Sequence, residues 1–236
     1  MAGTIINIIA IITGGILGLL FGARLPERIR ESVLAVLGLF TLVLGALMFL
    51  RTENSILVLG ALLIGTILGE WWQIEEKLEK FGGYLKARFS RAFKRQDHSR
   101  FVEGFLTASI LFGVGPMMIL GAIQDGLTGD YTLLATKAIM DGFAAIAFAS
   151  TMGVGVIFSS IIILVFQGGL SLLAVFVQDL ITPAMINEMS AAGGVILIGI
   201  ALSNILKIRK IRSGNFLPAL FLAPLFASAA ELMGIF

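Results

Sequence analysis

The sequence predicts an all-α fold, a polytopic transmembrane helix bundle of about eight spans. Three observations point there. The 236 residues are 58% hydrophobic and only 14% charged, where soluble domains carry about a quarter charged residues. Mean hydropathy is +1.00. The apolar residues come in long runs suited to helices, about 17–25 residues each, not in the ten-residue alternations of barrel strands. In lipid the backbone must satisfy its own hydrogen bonds, which leaves helices once a barrel is set aside. Residues 1–236 read as a single transmembrane domain, and an inverted repeat with two broken helices is expected within it.

The first span covers residues 5–22. It has no basic leader, and no small-residue cleavage site follows Phe21-Gly22-Ala23-Arg24, so it reads as a membrane helix and not as a signal peptide. Gly14, Gly18 and Gly22 recur every fourth residue, the pattern that lets helices approach closely. Asn7 and Thr13 are its polar residues. A basic turn, RLPERIRE, follows. The second span, residues 33–50, carries Gly38 and Gly45 on one face. After a polar turn at 51–55, the third span runs over 56–72 and ends in Glu70 and the pair Trp71-Trp72, an interfacial anchor. Residues 73–100 form the long polar segment. Ile74, Leu78, Phe81, Leu85 and Phe89 fall at helical spacing among Lys and Arg. That predicts an amphipathic, basic cytoplasmic linker lying on the membrane surface, interrupted at Gly82-Gly83. The single histidine, His98, sits in this charged run and reads as solvated.

The fourth span, residues 101–120, is FVEGFLTASILFGVGPMMIL. A helix cannot run undisturbed through Gly113-Val114-Gly115-Pro116, because Pro116 has no N–H and its ring collides with the carbonyl four residues back. Residues 139–158 echo it. Glu103-Gly104-Phe105 aligns with Asp141-Gly142-Phe143, Gly115 with Gly153 and Ile119 with Ile157, four identities in twenty with one acid-for-acid match. An acid-Gly-Phe head thus precedes a glycine-rich break twice, and paired broken segments point to a transporter's binding site. Between the two, residues 121–130 read as a polar turn containing Asp125 and Asp130. From Thr151 to Val177 two divisions fit. Either the chain turns at 151–155 and the sixth span is 156–177, or the fifth helix is broken there and the turn is at Gln167-Gly168-Gly169.

The seventh span, residues 189–206, is introduced by Pro183 and Glu188. The basic loop KIRKIR and an eighth span over 216–235 follow. The seventeen Lys and Arg fall three in the first loop, one in the second, eight in the linker, one at Lys137 and four after span seven. By the positive-inside rule, loops 1–2, 3–4 and 7–8 are cytoplasmic and both termini face outside. Spans four and five then cross in opposite directions, as do the loosely similar pairs two–three and seven–eight. The pI of about 9.1 reports orientation and anionic headgroups, not nucleic acid. Eight spans are few, so a homodimer is expected.

An acid inside a span is a functional candidate, because a charge at bilayer depth is expensive. Glu103 and Asp141 qualify, and Lys137 lies four residues before Asp141 on the same helix face. Glu188 and Glu231 read as interfacial. Near the breaks stand Ser109, Ser150 and Thr151. An interrupted helix frees carbonyls around Gly113 to meet a cation and N–H groups after Gly115 and Pro116 to meet an anion, with the same chemistry at Gly153. The bland alternative for the hydroxyls is a bond to their own backbone. The chain has no cysteine, which excludes thiol nucleophiles, disulfides and Cys-based metal sites. It shows no zinc-type His pair, nucleophile elbow, P-loop or dinucleotide fingerprint, so neither an enzyme nor a cofactor is expected.

The segments FVEGFLTASILFGVGPMMILGAIQDGLTGD, LLATKAIMDGFAAIAFASTMGVGVIFS and GNFLPAL, with the amino-terminal GTIINIIAIITGGILG, resemble the YdfK/YqgA-like family of bacterial integral membrane proteins of unknown function. The resemblance spans essentially the whole chain. It implies a bacterial inner-membrane protein and brings no substrate and no functional residues. The residues themselves point to an ion-coupled carrier of a small solute. The competing readings are a passive channel, marked by conductance without coupling, and a scaffold, marked by loss of function on removing residues 73–97.

Overall fold

The computed structural model describes residues 1–22, 26–88, 98–113, 115–178 and 180–234. Arg24, Phe89, Val114 and the side chain of His98 lie outside what is described. Among the described residues every regular element is helical. They are α1 (Ala2–Gly22), α2 (Glu27–Phe49), α3 (Ser55–Trp72), α4 (Ile74–Arg88), α5 (His98–Gly113), α6 (Pro116–Thr128), α7 (Thr132–Met152), α8 (Gly155–Leu172), α9 (Ala174–Val177), α10 (Pro183–Ile200) and α11 (Ala219–Leu232). A π-helical turn, Ala201–Ile205, extends α10, and a 3-10 turn, Ser213–Phe216, precedes α11. Among the described residues seven helices are long and apolar enough to cross a membrane, and the pair α5–α6, bent by 63°, counts as an eighth when taken as one span. Large apolar side chains point outward: Val36, Leu39, Phe40, Val43 and Leu47 of α2 are each more than half exposed. Such a surface suits lipid, where association rests on close packing of small residues.

The chain divides into two compact units. The first comprises Met1–Leu37 and Glu79–Gln178. Its central pair is α1 and α7, which run parallel. A Cβ added at Gly14, Gly18 or Gly22 would stand 2.3 Å from the carbonyl oxygen of Gly142, Ile146 or Ser150 in turn. The every-fourth glycines are therefore the surface on which α7 lies. Helix α8 runs antiparallel to α1, with Gly15 against Ile157 and Gly168 beside Thr4. The bent pair follows α8 from end to end. Gly155 meets the Phe101 carbonyl, Gly113 lies beside Ile163, and Gly126 meets the Ser171 carbonyl. Helices α5 and α6 thus make one interrupted crossing, not a hairpin that returns to its own side.

The second unit comprises Gly38–Leu78 and Asp179–Phe236. Its α2 segment and α10 are antiparallel, with Gly38 against Leu206 and Gly45 against the Gly194 carbonyl. Helices α3 and α11 are antiparallel too, through Gly60 with Phe226, Gly65 with Ala219 and Gly69 with Asn215. Val58, Ala61, Ala191, Ala192, Ala219 and Ala223 fill the core between them. Within each unit the helix directions are those that eight alternating crossings require.

Several sequence expectations need correction. Helix α4 runs through Gly82-Gly83 without interruption, because Gly82 packs on Val102 and Phe105. The segment 121–130 is no polar turn: α6 continues to Thr128 and is capped by Gly129 at φ 73. Its glycines are packing positions, Gly121 lying against Leu134. Of the two divisions open at 151–155, the turn is the one found: two helices that each qualify as a span meet there. Gly153, at φ 89, closes α7, and α8 runs through Gln167-Gly168-Gly169 to Leu172. Of the two expected broken helices, one is present. The seventh helix starts at Pro183, capped by the Thr182 hydroxyl on the Met185 N–H, so Glu188 lies inside it.

Candidate functional site

Helix α7 presents Lys137 and Asp141 on one face, and the two form a direct ion pair. Both are buried. Asp141 is the tenth of the 21 residues of α7, about 14 Å along the helix from its start at 1.5 Å per residue. The pair therefore sits well inside the span. It does not stand alone. Asn7 of α1 lies beside the Asp141 carboxylate and donates from Nδ2 to Gln167 Oε1 on α8 at 3.0 Å. Gln167 Nε2 donates to Thr4 Oγ1 at 3.2 Å. Thr4, Asn7 and Gln167 are fully buried. Three helices of one unit thus bring buried polar side chains together in apolar surroundings.

The break in the fourth span lies close to this network along α8. Ile163, which faces Gly113, is the ninth of the 18 residues of α8, so the interruption is at mid-depth. Gln167 is one helical turn further on the same face, about 6 Å along the axis. Gly115 adopts φ 159 and ψ 151, a region essentially restricted to glycine, and Pro116 restarts the helix at its first position, where no N–H is missed. The break leaves the last carbonyls of α5 and the first N–H groups of α6 without helical partners. Ser109, one turn before Gly113, is buried, and its Oγ has no partner among the described residues; the same holds for Thr107 Oγ1. The bland reading of Ser109 therefore does not hold.

The remaining sequence candidates fall elsewhere. The Ser150 hydroxyl donates to Ala147 O, and the Thr151 hydroxyl to Ala147 O and Phe148 O. Both satisfy their own helix. The Thr151 carbonyl accepts from Arg30 Nε at 3.1 Å, a cation at a helix C-terminus. Gly153 ends α7 beside the start of α8. Glu103 precedes Gly104, which packs on Met152 and Val156, so it belongs to this same end of the unit. Ser109, Gly113, Gly115 and Pro116 thus lie toward mid-depth, as do Lys137 and Asp141 on α7, while Glu103, Ser150, Thr151 and Gly153 lie at the α7–α8 turn. Gly113 and Gly153 therefore lie apart, the first beside the middle of α8 and the second just before its start.

Two buried acids were missed. Asp125 of α6 accepts the Gly3 N–H at 3.1 Å and lies 2.9 Å from the amino-terminal nitrogen. Its signal was the apolar spacing of Ile119, Ala122 and Ile123 ahead of a Gly129 cap. In the second unit Glu188, expected at the interface, is wholly buried. It accepts from the Thr52 hydroxyl at 2.5 Å, the Glu53 N–H at 2.8 Å and the Asn54 N–H at 3.1 Å, and so fastens the turn between α2 and α3. The pair Thr182-Pro183 is a helix-start signal that would have placed it inside.

A family model described as a protein of unknown function, DUF554, matches residues 2–228. The chain is 35% identical over 227 residues to the uncharacterized protein YqgA of Escherichia coli, covering 96% of each chain. It is 30% identical over 239 residues to the uncharacterized membrane protein YdfK of Bacillus subtilis, covering 100% of this chain and 99% of that one. No solved structure matches it significantly.

Proposed function

We propose that this chain, which belongs to the DUF554 family of proteins of unknown function, is an ion-coupled carrier of a small solute across a bacterial inner membrane. One observation carries the reading: the buried Lys137–Asp141 pair, with the Asn7–Gln167 contact beside it, within a unit of apolar spans. A charge at bilayer depth is worth at least about 2.5 kcal/mol of insertion penalty, and a pair with a polar extension marks an ion pathway more readily than a packing contact does. Asp141 is the coupling acid, and Lys137 is the counter-charge it exchanges for the ion. Ser109 and the freed backbone groups around Gly113, Gly115 and Pro116 form the adjoining polar pocket, within about one helical turn along α8. In this reading the basic loops face the cytoplasm and both termini face outside, and the inverted-repeat organisation belongs to the same proposal.

The test is reconstitution into proteoliposomes, followed by a screen of cations and small solutes under imposed ion gradients. Accumulation of one solute that needs one gradient supports a carrier. Conductance that ignores every gradient supports a channel instead.

A further inference from the structure

We propose that the groove between the start of α2 and the end of α7 holds one anionic phospholipid, its phosphate on Arg28 and an acyl chain below. The groove has a volume of about 780 Å³ and is lined chiefly by Ile29, Val33, Val36 and Leu37 of α2 and Ala147 of α7. Arg28 and Ser32 are its polar members. All of these residues belong to the first unit. Arg30 fixes the start of α2 against the end of α7, because its Nε donates to the Thr151 carbonyl at 3.1 Å.

The lining selects an acyl chain over a water-soluble ligand. Ile29 and Val36 are 47% and 65% exposed, so the groove opens on the apolar outer side of α2, toward lipid. Arg28 is the second residue of α2 and Leu37 the eleventh, about 14 Å apart along the helix. The hydrocarbon of one leaflet is about 15 Å deep, so the groove reaches from the headgroups to the bilayer centre. Its lower part offers no free polar anchor. The Ser32 hydroxyl donates to the Arg28 carbonyl at 3.0 Å, and the Ala147 carbonyl already accepts the Ser150 and Thr151 hydroxyls.

The charge at the top selects the headgroup. Arg30 spends itself on Thr151 and on Glu27 at 3.2 Å. Arg28 makes no ion pair among the described residues, and no carboxylate lines the groove. A guanidinium is a fork that fits phosphate oxygens two at a time. A headgroup that carries its own ammonium would set a second cation beside Arg28 with no acid to receive it, and this repulsion favours an anionic lipid over a zwitterionic one. The site stands independently of the carrier reading.

Thermal unfolding in a neutral detergent, with phosphatidylglycerol, phosphatidylcholine or inorganic phosphate added, tests the site together with native mass spectrometry of retained lipid. Phosphatidylglycerol in excess is expected to raise the midpoint by about 2–5 °C over the other two, with one lipid retained per chain. Arg28→Gln should erase the difference between the two lipids, and Val36→Trp should fill the groove and lower retention of both. Both residues are exposed, so neither change disturbs the core. Equal midpoints with the two lipids would overturn the proposal, as would an equal rise with inorganic phosphate. So would a preference that survives Arg28→Gln. Val36→Trp that turns a dimer into a monomer while lipid retention holds would show that a second copy covers the groove, and would overturn it too.

Discussion

Asn7 and Gln167 stand 160 residues apart in the chain, yet the Asn7 amide donates to the Gln167 side-chain oxygen at 3.0 Å. That bond links α1 to α8. It also sets a second buried polar contact beside the Lys137–Asp141 pair. Truncating either partner strands a buried polar group, so Asn7→Ala and Gln167→Ala should each lower stability by about 1–3 kcal/mol. The double variant should fall short of the sum by about 0.5–3 kcal/mol. Unfolding in mild detergent measures the cycle, and strictly additive losses would mean that the two side chains act independently.

The parallel packing of α1 on α7 leaves no room at Gly14 or Gly18, whose nearest neighbours are backbone carbonyls and cannot rotate away. Alanine at either position should destabilise by about 1–3 kcal/mol through overpacking. Gly169→Ala is the control. Nothing lies within 4 Å of its added Cβ, and alanine is the better helix former, so its unfolding midpoint should hold or rise.

Glu188 is the anchor of the α2–α3 turn. Glu188→Ala leaves the Glu53 N–H and the Thr52 hydroxyl without their acceptor, while the Asn54 N–H keeps the Thr52 oxygen, a loss of about 1–3 kcal/mol for each group left buried and unpaired. Thr52→Val removes one of the three bonds and should cost less than Glu188→Ala. Limited proteolysis at residues 51–55 reads the loosened turn directly. Equal resistance in wild type and Glu188→Ala would show that the carboxylate fastens nothing.

Asp130, in the turn between α6 and α7, is a pH-dependent contributor. Its Oδ1 accepts from the Thr132 hydroxyl at 2.6 Å and the Thr132 N–H at 2.9 Å. These bonds, the hydroxyl's first, hold its carboxyl below the ordinary value of 3.8. A lowered pKa favours the folded state while the group is charged. The contribution is fully present above pH 3.8 and is lost as the pH falls through the lower folded value. The stability difference between wild type and Asp130→Asn should therefore shrink on acidification, and a difference constant with pH would contradict the assignment.

Much of the helical plan was legible because it rests on local rules. Gly14, Gly18 and Gly22 advertised a close-packed face, and Gly115-Pro116 advertised a break, since both effects act within a turn of backbone. What the sequence withheld was the partner of each face. Nothing in the spacing says that the α1 glycines meet a parallel helix beginning at Thr132, or that Asn7 meets Gln167. Glycine also misled in both directions. Gly82-Gly83 and the glycines of 121–130 looked like interruptions, although Gly82, Gly121 and Gly126 are contact points inside continuous helices. Asp125 and Glu188 followed the same error, because acids assigned to turns were assumed to meet water. The echo between residues 101–120 and 139–158 matched an interruption within a span to a turn between spans, two features for which glycine serves equally well.

The carrier account is tested most directly by gradient-driven uptake in proteoliposomes holding wild type, Asp141→Asn or Glu103→Gln. Asp141→Asn should fall to the level of protein-free vesicles, while Glu103→Gln, at the α7–α8 turn, should retain most of the flux. Full uptake by Asp141→Asn would contradict a coupling role for the buried pair.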